Sequence, residues 1–296
     1  MKTIKQTLLI TGATSGIGRH AALHLAKKGH RVFAAGRNPQ ALEALRAEAA
    51  GLDLHALSLD VTDDASIRAA VVEVDRVTGG YGLDGLVNNA GFGMTVPVAD
   101  LSDADLRAQF ETNVFGLMAM TRAFLPAMRA RRAGRIVNIS SVGGRLTLPF
   151  LGGYNASKYA VESLSDALRR ELRAFGIRVS LVEPGVIRTD FTRRSMDGMA
   201  AYRSADSDYA AVYERADELE KLSDKMASGP AVVTAAVESA LLSRWPAARY
   251  VVPFSSKIFL AMAALMPTRM VDFVMRQMFG LTARRLRLTA HATVIQ

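Results

Sequence analysis

The residues Thr7-Leu8-Leu9-Ile10-Thr11-Gly12-Ala13-Thr14-Ser15-Gly16-Ile17-Gly18 decide how this chain is read. Thr7–Ile10 is a short apolar run of strand character, and Thr11-Gly12 stops it. Beyond Gly18, the residues Ala21, Ala22, Leu25 and Ala26 recur at helical spacing until Gly29. Strand, glycine turn and helix in succession form the context of a phosphate-binding loop. Free N–H groups at a helix start favour an anion, and glycine lets the backbone approach it closely. The spacing is G-x-x-x-G-x-G rather than G-x-G-x-x-G, and a glycine turn alone fits many loops.

The alternation continues along the chain. Arg31–Ala35, Leu54–Leu59, Leu83–Val87, Arg135–Ile139 and Ile177–Val182 read as strands. Asp64–Val77, Ser102–Arg131 and Tyr154–Phe175 carry helical periodicity, with Pro126 as a break or kink and Gly176 as a stop. This predicts an α/β fold, a doubly wound parallel sheet of the Rossmann type in three layers, α/β/α. Right-handed crossovers gather the strand ends at one edge. Gly12, Asp60, Asn88, Ser141 and Pro184 each follow a strand and so line one crevice.

A chain of 296 residues, half of them apolar, can bury a sizeable core. It has no cysteine, which excludes disulfides, thiolate metal sites and a Cys nucleophile and fits a reducing, cytoplasmic setting. The opening apolar run ends too early for a signal-peptide core. The five histidines show no metal-ligand spacing, so no metal is expected. The net charge is +9, with arginines clustered at 129–135 and 284–287. Neither cluster is interleaved with aromatics, which argues against nucleic acid and leaves a phosphorylated cofactor or an anionic membrane surface.

The chemistry concentrates between Asn138 and Lys158. Tyr154 and Lys158 stand at i and i+4, one helical turn apart on one face. A free phenol has a pKa near ~10, and bringing it to ~7 takes about 4 kcal/mol. One ammonium ~4 Å away at an effective dielectric of ~20 supplies roughly that much. Ser141 adds a hydroxyl able to donate to a carbonyl oxygen, so the three suit ketone reduction or alcohol oxidation. Such a Tyr–Lys pair is common on helices, and Tyr159 lacks even that partner, having Ser163 four residues on. After the second strand come Gly36 and Arg37, where a carboxylate would hold a ribose 2′-hydroxyl. A guanidinium there pairs with a 2′-phosphate instead, which favours NADP over NAD.

Taken together, T-G-x-x-x-G-I-G, N-N-A-G, Asn113, Ser141, Y-x-x-x-K and P-G-x-x-x-T resemble the short-chain dehydrogenase/reductase family, in order from Thr7 to about Thr189. The segments S-S-V-G-G-R-L-T-L-P-F and P-G-V-I-R-T-D-F are most similar to the branch of 17-beta-hydroxysteroid and retinol dehydrogenases. The resemblance implies Tyr154 as general acid/base, Lys158 lowering its pKa and holding the nicotinamide ribose, Ser141 polarising the carbonyl, and Asn113 anchoring a relay water. It implies a cofactor cradle of Gly12, Thr14, Ser15, Gly16, Ile17 and Gly18, with Arg37 beside it. Asp60 and Val61 would contact the adenine, Asn88, Ala90 and Gly91 would line the cofactor, and Pro184, Gly185 and Thr189 would flank the nicotinamide. Asn88 equally suits a role pinning strands, and Asn113 that of a buried structural amide. The family further suggests a homodimer or homotetramer built on the two long helices.

The catalytic domain is expected to span 1-253, with a substrate loop at about 190-229 that includes a helix over Ala205–Ala227. Met94, Val142, Leu148 and Phe150 would shape the substrate pocket. Being apolar, they predict a hydrophobic ketone, aldehyde or secondary alcohol. Residues 254-296 form a helical extension: Lys257–Met266 is apolar but too short to span a bilayer, and after Pro267 an amphipathic helix runs to Gly280. It reads as a helix packed on the body or on a partner copy, a lid, or a peripheral membrane contact. Rival readings are a non-catalytic NADPH sensor and a membrane-surface protein on the same fold.

Overall fold

The computed structural model describes residues 4–202, 207–213, 224–225, 227–282 and 286. Seven parallel strands form one sheet: β1 Thr7–Ile10, β2 Arg31–Gly36, β3 Leu54–Ser58, β4 Gly85–Asn88, β5 Gly134–Ile139, β6 Ile177–Pro184 and β7 Arg249–Val252. Their order is β3-β2-β1-β4-β5-β6-β7. The winding reverses between β1 and β4, so the crevice at a topological switch point opens where Gly12 and Asn89 leave those strands.

The sheet is parallel because both faces of its strands are apolar. Leu8, Ile10, Val32 and Ala34 pack on one side with Ala22, Leu25, Val233 and Val237. Leu9, Phe33 and Ala35, the alternate residues, pack on the other with Ile67, Val74, Met120 and Met128. The first face is covered by α1 Gly16–Lys27 and by Ala231–Leu242, the second by α3 Asp64–Thr78 and α5 Leu117–Arg131. Three helices go beyond the sequence reading, Asp190–Asp197 among them. α2 Pro39–Glu48 opens with Asn38 capping the Ala41 N–H and Pro39 in the first turn. Ala231–Leu242 is mostly apolar, broken by Thr234, Glu238 and Ser239, and lacks the clear stripe that marks a surface helix.

The long helix expected over Ser102–Arg131 is three segments. Ser102 caps α4 Asp103–Phe110 through the Asp105 N–H, the turns widen to a π-helix over Glu111–Gly116, and α5 follows. Pro126 does not end α5. α6 spans Gly152–Glu171, and the chain tightens into a last turn over Leu172–Phe175 before Gly176, whose φ of 71° closes it. Within the expected 205–227 helix Ala210–Tyr213 is helical; residues 205–206, 214–223 and 226 lie outside the described residues. The extension forms two helices, Phe254–Leu265 and Thr268–Phe279. Among the described residues no helix is long and apolar enough to cross a membrane.

Buried amides tie the middle of the sheet together. Asn88 Nδ2 donates to Asn138 Oδ1 at 2.9 Å and to Thr121 Oγ1 at 3.0 Å, and Asn138 Nδ2 donates to Ser165 Oγ at 2.8 Å. β4, β5, α5 and α6 are thus joined by one chain of bonds. Truncating Asn88 leaves the buried Asn138 oxygen without its donor, at a cost of about 1–3 kcal/mol, besides the cavity. Asn88→Ala is therefore expected to lower the urea midpoint by the equivalent of about 2–4 kcal/mol, whereas loss of an exposed Ser239 hydroxyl, as in Ser239→Ala, changes it by less than about 1 kcal/mol.

Candidate active site

The loop from β1 to α1 is shaped to let backbone, not side chains, face the crevice. Gly12 and Gly16 have φ of 65° and 54°, which disfavours any side chain. A Cβ on Gly12 would lie 2.9 Å from Ala90 Cα, and one on Gly18 would strike the Gly12 carbonyl. Thr11 Oγ1 accepts from the N–H groups of Asn89 and Ala90 at 3.0 Å each, and Asn89 Nδ2 donates to the carbonyls of Thr11 at 2.9 Å and Gly12 at 3.2 Å. Ser15 precedes α1 without capping it by its side chain, and the first turn holds no acid. The first-turn N–H groups of Gly16, Ile17 and Gly18 therefore have neither a side-chain cap nor a carboxylate as competitor for an anion. Thr14 packs over Gly36, at 2.5 Å from where its Cβ would stand, and so braces the loop. The arrangement fits a dinucleotide pyrophosphate.

At the end of β2, Arg37 is exposed and lies 3.6 Å from Asp60 Oδ2. Asp60 Oδ1 accepts from the N–H and hydroxyl of Thr62 at 2.9 and 2.8 Å. Burial acts to raise the Asp60 carboxyl, but the Thr62 bonds and the Arg37 charge together hold it below its ordinary range. Val61 is buried, with its carbonyl against Gly116.

Ser141 follows β5 in extended conformation. Its Oγ accepts from Gly143 N at 3.0 Å and donates to Pro184 O at 3.5 Å, and it lies within reach of the Tyr154 phenol. Asn155 clamps this loop to α6, its Nδ2 donating to Gly143 O at 2.9 Å and its Oδ1 accepting from Leu148 N at 3.0 Å. Tyr154 and Lys158 share a face of α6, as the spacing predicts. Their electrostatics differ from the expectation. Protein crowds the phenol although part of the residue stays exposed, and this burial pushes its pKa up to about 12, with Ser141 pulling the other way. Lys158 Nζ donates to Ile139 O at 2.9 Å and stands 5.7 Å from the centre of the Tyr154 ring. Burial brings Lys158 down to about 8, opposed by the charge of Glu162.

Asn113 sits in the π-helical turn. Its Oδ1 accepts from Phe92 N at 3.0 Å, and its Nδ2 donates to Phe92 O at 2.9 Å and Ser157 Oγ at 3.0 Å. Gly91 is held between Asn113 and Lys158, with its Cβ position 2.9 Å from Asn113 Oδ1 and 3.7 Å from Lys158 Nζ. Asn88 points into the sheet network described above, which is its strand-pinning reading. Gly185 is tied to β7 by a 2.7 Å bond to Val252 O, and Thr189 caps the helix Asp190–Asp197 while its side chain abuts Gly16.

Met94 reaches Gly198, and Val142 and Leu148 are half-buried. Phe150 is buried at a φ of 66°, edge-on to Tyr209 at 5.8 Å and 6.2 Å from Phe279. The sequence reading missed Phe191, whose ring lies 5.5 Å from Tyr154. It also missed Thr11, Asn89 and Asn155, which shape the loops, and Glu162, one helical turn beyond Lys158. The polar residues sitting directly after strands were the signal for the first two.

Residues 6–200 match the family described as short chain dehydrogenase. The chain is 37% identical over 275 residues to an uncharacterized oxidoreductase, YbbO, of Escherichia coli (strain K12), covering 93% of this chain and 96% of that one. It is 35% identical over 268 residues to the NADPH-dependent 3-dehydrocapnine reductase of Ornithobacterium rhinotracheale, covering 89% and 94%. A solved short chain dehydrogenase/reductase from Burkholderia phymatum in complex with NAD superposes with a TM-score of 0.77 at 27% identity, covering 88% of this chain and 93% of that one. The glycine cradle, the sheet order and these matches agree: the chain belongs to the short-chain dehydrogenase/reductase family and is an oxidoreductase of alcohol and carbonyl groups that uses a nicotinamide cofactor.

Proposed function

We propose that this enzyme reduces hydrophobic ketones or aldehydes with NADPH, or runs the reverse oxidation of secondary alcohols, with Tyr154 as the group that gives or takes the proton. The observation that carries this reading is the convergence of Ser141, Tyr154 and Lys158 at the carboxyl edge of the sheet, beside the glycine cradle and against Phe191. The nicotinamide supplies the hydride when bound. The chain's own groups do the rest. The Ser141 hydroxyl donates to the substrate oxygen and the Tyr154 hydroxyl delivers its proton to the same oxygen. A phenol held near 12 keeps its proton throughout the neutral range and is therefore ready as a donor.

The ammonium of Lys158, 5.7 Å from the centre of the phenol ring, favours the phenolate as a nearby opposite charge. Lys158 thus stabilises the charge left behind when Tyr154 gives up its proton. Gly12, Ser15, Ile17 and Gly18 would hold the pyrophosphate. Arg37, with Gly36 and no acid between them and α2, would pair a 2′-phosphate while staying near Asp60. The name of the Ornithobacterium relative, an NADPH-dependent reductase, supports the same cofactor. Met94, Val142, Leu148, Phe150 and Phe191 offer carbon rather than polar atoms to the substrate, which supports an apolar one. We extend the reading to a catalytic unit over 1-253, and to a homo-oligomer built on α4–α5 and α6.

Cofactor oxidation followed on a panel of long-chain ketones and aldehydes tests the assignment. NADPH should exceed NADH in kcat/KM by about ten- to a hundredfold, and Arg37→Ala should remove most of that margin while NADH kinetics change little. An unchanged ratio in Arg37→Ala would assign the preference elsewhere.

The pH profile tests Lys158. Its proton is lost as pH rises through about 8, so kcat/KM for reduction should decline above that pH. In Lys158→Arg, where the charge persists, the decline should disappear at a lower plateau; a limb that stays in place would belong to another group.

A further inference from the structure

We propose that the helices Phe254–Leu265 and Thr268–Phe279 form a docking face for an anionic lipid surface. Nine large apolar side chains are exposed on this pair: Phe254, Ile258, Phe259, Met262 and Leu265 on the first, Met270, Phe273, Val274 and Met278 on the second. At about 100° per residue each set fans over an arc of about 140°. Each helix has one apolar residue well buried, Leu260 and Met275, and each turns it away from its exposed set. The apolar faces are thus outward faces that the rest of the described chain leaves uncovered. Exposed apolar faces of this kind mark an interaction site.

Charge selects the partner. Residues 254–296 carry Lys257, Arg269, Arg276, Arg284, Arg285 and Arg287 against Asp272 as the sole acid; the arginines from 284 on lie outside the described residues. Arg269 and Arg276 stand within about 60° of Phe273 on the helix circumference, where long basic side chains can reach headgroups while the apolar arc sinks below them. A second copy docking on the same face would set these cations against their own counterparts, whereas an anionic bilayer pairs them. The described helices are each 12 residues long, so the pair lies on a surface and does not span it. The second helix turns Phe279 inward to Phe150, so its opposite side packs on the body while the apolar arc faces out.

The test is flotation of the full-length protein with vesicles of phosphatidylcholine, alone or mixed with phosphatidylglycerol. The protein should rise with the mixed vesicles at least about tenfold more than with phosphatidylcholine alone, and less as salt is added. The double variants Ile258→Asp/Phe273→Asp and Arg269→Glu/Arg276→Glu, all at exposed positions, should each cut the bound fraction about tenfold while circular dichroism and NADPH binding stay unchanged. Absence of binding to mixed vesicles at low salt would overturn the proposal, as would binding that both variants retain. A lipid-free dimer that dissociates in Ile258→Asp/Phe273→Asp, with no vesicle binding by the parent, would give the face to a second copy and overturn it too.

Discussion

A parallel sheet ends in a row of strands whose last peptide groups have no ladder partner. In this chain side-chain amides and hydroxyls take them over, and the site depends on that substitution. Thr11 and Asn89 lace the turn after β1 to the turn after β4. Asn113 holds the backbone of Phe92 from both sides. Asn155 fastens the Ser141 loop to α6. Loops that would otherwise be loose become fixed walls of one crevice. The glycines then lower the wall wherever a ligand must come close, and Ser141, Tyr154 and Lys158 stand along its other side.

The ionisable groups around that crevice follow from burial more than from pairwise attraction. Lys158 is enclosed and anchored on the Ile139 carbonyl, so its charge is costly and its pKa falls. One turn further along α6, Glu162 opposes that fall. Glu162 and the fully buried Glu183 are both held above the ordinary carboxylate range, first by burial. Arg249 lies 3.2 Å from the one and 3.1 Å from the other, and Arg145 reaches Glu183 at 3.4 Å. A buried pair of carboxylates needs such partners. The same cluster ties β6 and β7 to the helix that carries Tyr154, so the electrostatic frame of the site is also part of its scaffold.

Much of this was legible in the sequence. The strands show as apolar runs because both faces of the sheet are buried, and the strand–glycine–helix unit at Thr7–Gly18 sets the winding. The residues after each strand could be assigned to one edge from topology alone. What was not legible has physical reasons. The helix Ala231–Leu242 is mostly apolar with scattered polar residues and shows no clear stripe. The π-turn at Glu111–Gly116 is one hydrogen-bond register within an unbroken helical pattern. The spacing of Tyr154 and Lys158 fixed their shared face but not where the ammonium points, because that depends on the Ile139 carbonyl. Phe191 meets Tyr154 only through the fold of a segment far along the chain.

The central claim is that Tyr154 supplies the proton at a carbonyl oxygen while the rest of the site holds cofactor and substrate. Tyr154→Phe removes one oxygen from a largely buried ring and leaves the cradle intact. NADPH affinity by fluorescence titration, measured beside single-turnover reduction of the best ketone, separates binding from chemistry. The account predicts an affinity within a few-fold of the parent and a rate lower by about 10²–10⁴-fold. A variant that binds NADPH and still reduces the ketone at nearly the parent rate would contradict it.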